Sequence, residues 1–393
     1  MSTDTHLKYF DEAISNAVSV LKGGAESSSN SHGSWVTKFE SSFTEISSHS
    51  HNIAVNSGTS ALHGALAAFG VGPGDEVIMP AMSVVMNAYA ALALGATPIF
   101  ADINSDDWNM DLASIQRVIS PKTKAIITVS WFGAPSNLKP ILDFAREIGI
   151  FVLEDAAEAL GARYQSKPSG FFADAVAFSF ENKKHLTTGG EGGMISTSSE
   201  EIATKARKFS GLGYKHLTAD AGRTSLSSSE FQRPDYERYD MVSLNYRMSP
   251  LAAAVGLGQL EHFEEIISIR VRAGLSLVNL ISTHSDFIPQ GTCSTGQHSY
   301  YTAGIRYTGK FAWRDIYNEV IQQGGDGFYG CVLNPYLEPV FKGRRTDSQI
   351  WSKGLCPTAE AFQPQVMALK TDFRLDSDLE RNLEAWERAL KKF

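Results

Sequence analysis

Between about residues 53 and 197 the chain alternates short runs of β-branched residues with stretches of helical periodicity, and few folds accept that alternation. "IAV" at Ile53–Val55, "EVIM", "TPIFAD", "AIITV", "IFVLED", "AVAFSF" and "GMIST" read as strands. Helices are expected from Ser60, from Met86 to Leu94, near Leu112 to Val118 and from Leu138 to Ile148. Strand–helix–strand repeats of this kind build parallel βαβ units, with helices on both faces of one sheet. The expected class is α/β, and its ligands should gather at the carboxyl ends of the strands.

Beyond residue 209 the pattern changes. The polar stretch "GYKHLTADAGRTSLSSSEFQRPDYERYD" reads as a long exposed or partner-facing loop, and "SPLAAAVGLGQLEHFEEIISIRVRAG" as a helix with one buried face. A strand-like "YYTAGIRY", a helix near Trp313 to Gln323 and the charged "DSDLERNLEAWERALKKF" suggest a smaller α/β unit. At 393 residues the chain exceeds what one core usually covers, so a large domain over 1–265 and a small one over 266–393 are expected. "ESSSNSHGS" reads as a surface loop.

Several function classes are disfavoured. A net charge of −8 with scattered Lys and Arg argues against nucleic acid as a partner. Three cysteines, Cys293, Cys331 and Cys356, are too few and too far apart for a disulfide framework or a zinc knuckle, and no His-x-x-x-His pair points to a metal. The polar start "MSTDTHLKYFDEAIS" does not resemble a secretory signal, so a cytoplasmic enzyme is expected. No apolar run approaches the roughly 18 residues that cross a bilayer.

Three stretches carry chemistry. In "NSGTSALHGAL", Ser57, Gly58, Thr59 and Ser60 lie between a strand and a helix start, which suits either a phosphate or a plain N-cap. In "VLEDAAEALGA", Glu154 and Asp155 end a strand that should be buried, where a carboxylate needs a metal, an arginine or a protonated heterocycle nitrogen. An acidic N-cap is the simpler reading of Asp155. In "SFENKKHLTTGGEGG", Ser179 is followed by Lys183, Lys184 and His185. A phosphate cradle, a buried carboxylate and a lysine on one sheet edge match pyridoxal 5′-phosphate, which has a phosphate, a ring nitrogen to be kept protonated and an aldehyde that condenses with an amine.

Together "NSGTSAL", "EDAAEALGA", "FSF…K.LTTG.EGGM" and "LNYRMSPLAAAVGLGQLEHF" resemble the sugar aminotransferases of the DegT–StrS group, pyridoxal phosphate fold type I, from about Val36 to Leu260. The resemblance implies a large domain with a mostly parallel sheet and a smaller C-terminal domain. It also implies Lys184 as the lysine that binds the cofactor, five residues after Ser179 and three before the first threonine of "TTG". Counting back from "EGG" gives His185 instead, because this chain has one more glycine than the usual "TTGEGG", at 189 or 190. Lys183 is then a neighbour with no catalytic role.

By the same resemblance Asp155 pairs with the ring nitrogen, and Glu158 lies near the phenolic oxygen. Gly58, Thr59, Ser60 and Ser179 hold the phosphate, and Asn245 reaches in from the partner in a homodimer. Val84 stands where an aromatic residue usually stacks on the ring, Ser130–Gly133 ("SWFG") replaces "HLYG", and the loop Gly211–Asp240 is longer than usual. Burial and the cationic cofactor should lower the pKa of Lys184. Glutamate or glutamine is the implied amino donor, and a nucleotide-linked keto-deoxy sugar the implied acceptor. A free keto sugar or cyclitol, a sugar dehydratase and a non-catalytic cofactor-binding sensor are the alternatives.

Overall fold

The computed structural model describes residues 9–23, 34–220, 226–341, 346–347 and 349–393. Residues 24–33, which hold most of "ESSSNSHGS", and residues 221–225 of the polar loop lie outside them. Nine strands arise among the described residues of the first half: β1 (His51–Val55), β2 (Glu76–Pro80), β3 (Thr97–Ala101), β4 (Thr123–Val129), β5 (Phe151–Asp155), β6 (Arg163–Tyr164), β7 (Lys167–Pro168), β8 (Ala175–Ser179) and β9 (Gly193–Thr197). Seven of them form one sheet in the order β1-β9-β8-β5-β4-β2-β3. Pairings from β8 through β3 are parallel, and β9 alone runs against both its neighbours.

The near-continuous burial of β2, β4, β5 and β8 explains their unbroken apolar sequences, because helices cover both faces of a parallel sheet. The helix Gly58–Ala68 packs Ala61, Leu62, Ala65 and Leu66 on one side of the sheet. On the other, Leu138, Ile141, Leu142 and Ala145 of the helix Leu138–Glu147 meet Ile78, Ile126 and Val152.

The helix expected across residues 249–274 is two helices, Pro250–Leu260 and Phe263–Ile281. Their junction is pinned by His262, whose ring stacks on Phe10 at 3.7 Å and whose Nε2 is 2.9 Å from a Glu12 carboxylate oxygen. The break redirects the chain, so that Ala273, Leu277 and Ile281 enter the core of the second unit.

That second unit is built on β10 (Phe287–Pro289), β12 (Thr302–Tyr307), β13 (Phe328–Gly330) and β14 (Val366–Lys370), ordered β10-β12-β14-β13 and wholly antiparallel. The short β11 (Gly296–Gln297) joins β6 and β7 in a separate three-stranded sheet. Tyr336, Phe341 and Trp351 pack back on the large sheet, where they surround Phe100. Gln349 bonds both the N–H and the C=O of Phe100, satisfying the exposed edge of β3. No helix among the described residues is long and apolar enough to cross a membrane.

One ion pair ties the start of the sheet to its flanking helices. Glu40 is 3% exposed; its Oε1 accepts from the Ala54 amide and from Arg207 Nη1, and its Oε2 from Arg207 Nη2. Arg207 also donates to the carbonyls of Asn52 and Ala219. Removing one partner strands the other in an apolar setting. Glu40→Ala should therefore lower the unfolding free energy by about 3 kcal/mol, read from the urea midpoint.

Candidate active site

The strand register brings the chemistry to one edge. Val55 pairs with Gly193, Gly193 with Ser179, and Asp155 with Ala177, so the ends of β1, β8 and β5 align. The turn Asn56–Ser60 lies directly over them. Ser57 caps the helix, its Oγ accepting from the Ser60 amide, and the Ser60 hydroxyl donates to Asn56 Oδ1 at 2.6 Å. The plain N-cap reading is thus observed, and Ser60 spends its donors within the turn. The amides of Gly58 and Thr59 have no acceptor inside the helix and remain open to an anion. A side chain at Gly58 would meet Ser179 Cβ at 2.7 Å, and one at Gly193 would meet the Ser57 carbonyl oxygen at 2.3 Å. Both glycines are needed for the turn to sit this close to the strand ends.

Asp155 and Glu154 leave β5 on opposite faces and meet different surroundings. Asp155 Oδ1 accepts from the Ala157 amide, and Asn87 donates to the same carboxylate. Burial raises the Asp155 pKa, opposed by those hydrogen bonds and by the charge of Lys184. Glu154 is fully enclosed; its Oε1 accepts from Ser130 at 2.6 Å and from Ser169, while Oε2 has no side-chain or backbone hydrogen bond of ordinary geometry among the described residues. Burial pushes Glu154 up to about 7.

The segment after β8 closes on itself. Phe180 N–H bonds the Gly192 carbonyl, Asn182 N–H the Gly190 carbonyl, and Lys184 N–H the Glu181 carbonyl. Gly189 and Gly190 both have positive φ, 90° and 128°, which lets the additional glycine sit in this turn. Lys184 and His185 point to different places. Lys184 Nζ lies 3.1 Å from Glu158 Oε1 and 4.4 Å from the centre of the Tyr301 ring. His185 is buried with Nε2 3.1 Å from the Ser299 carbonyl oxygen, and burial holds its pKa well below the usual imidazole value.

Glu158 is itself positioned. Its Oε2 accepts from the amide of Phe132, a residue at φ 57°. Burial by itself lowers the Lys184 pKa, as the sequence leads one to expect. The charge of Glu158, with Tyr301 and Asp155 behind it, outweighs burial and leaves the amine above its ordinary value.

Glu158, Tyr301, Val84, Trp131 and Phe132 line a cavity of about 760 Å³ that opens between the large sheet and the second unit. Ser130 belongs elsewhere: it is turned toward Glu154, so only the Trp131–Phe132 part of "SWFG" meets the cavity. Asn245 is exposed, with its Oδ1 accepting from Arg247 Nε at 3.0 Å. Its segment is tied to the Asn56–Ser60 turn by the bond from Asn56 N–H to the Tyr246 carbonyl.

Two residues escaped the sequence reading. Tyr301 lies in "HSYY", beyond the span from Val36 to Leu260 that carries the resemblance. Arg270 is a buried cation inside the apolar "IISIRVRAG", and a charge in such a helix was the available signal. Arg270 donates to the carbonyls of Tyr301, Lys183 and Lys184. No group of three or more His, Cys, Asp or Glu placed to hold a metal occurs among the described residues.

Residues 11–379 match the DegT/DnrJ/EryC1/StrS aminotransferase family. The chain belongs to this family of sugar aminotransferases. A GDP-perosamine synthase from Caulobacter vibrioides is 37% identical over 275 residues, 70% of this chain and 69% of that protein. A pleiotropic regulatory protein from Geobacillus stearothermophilus is 37% identical over 341 residues, 86% of this chain and 84% of that one. Among solved structures, 3-amino-5-hydroxybenzoic acid synthase superposes with a TM-score of 0.83 at 25% identity, covering 98% of both chains. This aminotransferase works with pyridoxal 5′-phosphate, and the residues at the sheet edge suit that group. The Gly58 and Thr59 amides suit a phosphate, the buried Asp155 suits a cationic ring nitrogen, and the Lys184 amine suits an aldehyde.

The electrostatics yield two expected outcomes. Glu154 has a folded pKa of about 7 against an ordinary 4.5. The stability it contributes is fully present below about pH 4.5 and is lost as pH rises through about 7. Glu154→Gln should remove about 3 kcal/mol of that pH-dependent stability, seen by comparing urea midpoints of both proteins at pH 5 and pH 8. Glu158→Gln deletes the main charge raising Lys184. The pH at which the protein forms its covalent adduct with pyridoxal phosphate, followed by visible absorbance, should fall by at least about one unit.

Proposed function

We propose that this aminotransferase takes an amino group from glutamate or glutamine and delivers it to a nucleotide-linked keto-deoxy sugar in surface-polysaccharide or related glycan biosynthesis. The observation that carries the reading is the Lys184 amine, held between Glu158 and Tyr301 and within the field of the buried Asp155. The acceptor class is supported by the GDP-perosamine synthase relative, whose name specifies a nucleotide-linked amino sugar.

Bound pyridoxal phosphate supplies an electron sink for bond breaking at the carbon that carries the amino group. The chain does the rest. Gly58 and Thr59 amides with Ser179 hold the phosphate, and Ser60 shapes that turn. Asp155 keeps the ring nitrogen protonated, since an opposite charge favours the charged form. Val84 would border the ring, and Glu158 would lie near its phenolic oxygen. Lys184 would anchor the cofactor and, once freed by the donor's amine, would serve as the base that takes the proton from the donor's α-carbon and, on the acceptor, as the acid that gives one back. In that role it must become neutral, and a cationic ring nitrogen beside Asp155 removes part of the field that now raises its pKa.

Asn245 is assigned to the phosphate of a second copy of the chain in a homodimer. In support, Asn245 lies on a surface segment with Val242 97% exposed and Tyr239, Leu244 and Leu251 also exposed, an apolar strip suited to self-association. A sensor role is the second reading, favoured by the regulatory name of the Geobacillus stearothermophilus relative.

Glutamate decides between them. The purified holoenzyme mixed with glutamate alone should lose its visible absorbance band as 2-oxoglutarate appears in stoichiometric amount; an unchanged band with glutamate and glutamine alike would favour the sensor. Lys184→Ala should abolish the band and the borohydride-fixed adduct, whereas His185→Ala should keep both.

A further inference from the structure

We propose that Lys183 forms an outer subsite that binds the diphosphate of the acceptor, with Tyr329 holding its ammonium in place. This rests on the nucleotide-linked reading given above. The twin lysines are consecutive, and one guanidinium fixes the backbone of both: Arg270 Nη2 donates to the Lys183 carbonyl at 3.1 Å and to the Lys184 carbonyl at 3.4 Å. The lysine side chains then diverge. Lys184 reaches inward to Glu158 and Tyr301, and Lys183 reaches outward, its Nζ 5.3 Å from the centre of the Tyr329 ring. Glu158, Tyr301, Lys183 and Tyr329 all line the same 760 Å³ cavity, whose size suits a ligand well beyond a small amino acid.

The charges of that cavity are unevenly satisfied. Arg270 faces Asp372 at 3.7 Å, and Lys370 faces Asp326 at 3.2 Å. Lys183 has no carboxylate within ion-pair distance among the described residues. Its ammonium is exposed and rests on a ring that is 69% exposed, at the edge strand β13. An unpaired ammonium beside a cavity attracts an anion, and a phosphate is a standard partner for a lysine. A sugar presenting its carbonyl to Lys184 carries its diphosphate on the far side of the ring, toward the outer end of the cavity. Lys183, the residue before Lys184 in the chain, therefore supplies the counter-charge.

The test is calorimetric titration of the holoenzyme with GDP, UDP and dTDP in turn, for wild type, Lys183→Gln and Lys183→Arg. Wild type should bind at least one of the three, with affinity falling roughly tenfold in Lys183→Gln and largely restored in Lys183→Arg. Binding by wild type and equally by Lys183→Gln would overturn the subsite and leave the nucleotide-linked acceptor standing. No binding of any of the three by wild type would overturn both.

Discussion

Charge balance in a space with little water governs this molecule. Asp155, Glu158 and Lys184 lie together at the carboxyl edge of the sheet, and in ionised form they sum to one negative charge. Low dielectric makes such an excess costly, so the site favours a cationic group beside Asp155. A protonated pyridine nitrogen meets that demand. The same field keeps the Lys184 amine protonated until the balance changes, which ties its reactivity to what occupies the site.

Rigid backbone makes that balance possible. Gly58 and Gly193 allow the Asn56–Ser60 turn to rest on the ends of β8 and β9, and the loop from Phe180 to Gly192 is stitched by its own hydrogen bonds. Arg270 works from a distant part of the chain. Its helix begins against the large sheet and ends in the core of the second unit, and its guanidinium meets carbonyls from Lys183, Lys184 and Tyr301. With the contact from His185 Nε2 to the Ser299 carbonyl oxygen, it joins the lysine loop to the segment Ser299–Tyr301.

The departures from the family pattern also acquire a location. Ser130, where the resemblance has histidine, lies in a closed polar pocket with Glu154, Ser136 and Ser169, on the opposite face of β5 from Asp155. Trp131 and Phe132 turn toward the cavity, and the Phe132 amide orients Glu158. One altered tetrapeptide thus serves two faces of the sheet.

The strands of the large sheet, most of its helices and the convergence of Gly58, Asp155, Ser179 and Lys184 on one edge were legible in the sequence. Each depends on local periodicity, on glycine and capping chemistry, or on spacing from a strand end, and all of these are properties of neighbouring residues. The antiparallel insertion of β9, the break at His262, the upward shift of the Lys184 pKa and the roles of Arg270, Tyr301 and Phe132 were decided by the tertiary structure. Arg270 lies 86 residues from Lys184, and Glu158 lies 26 from it. Electrostatic fields and hydrogen bonds act through space, so which charges face one another was settled only when the two units packed.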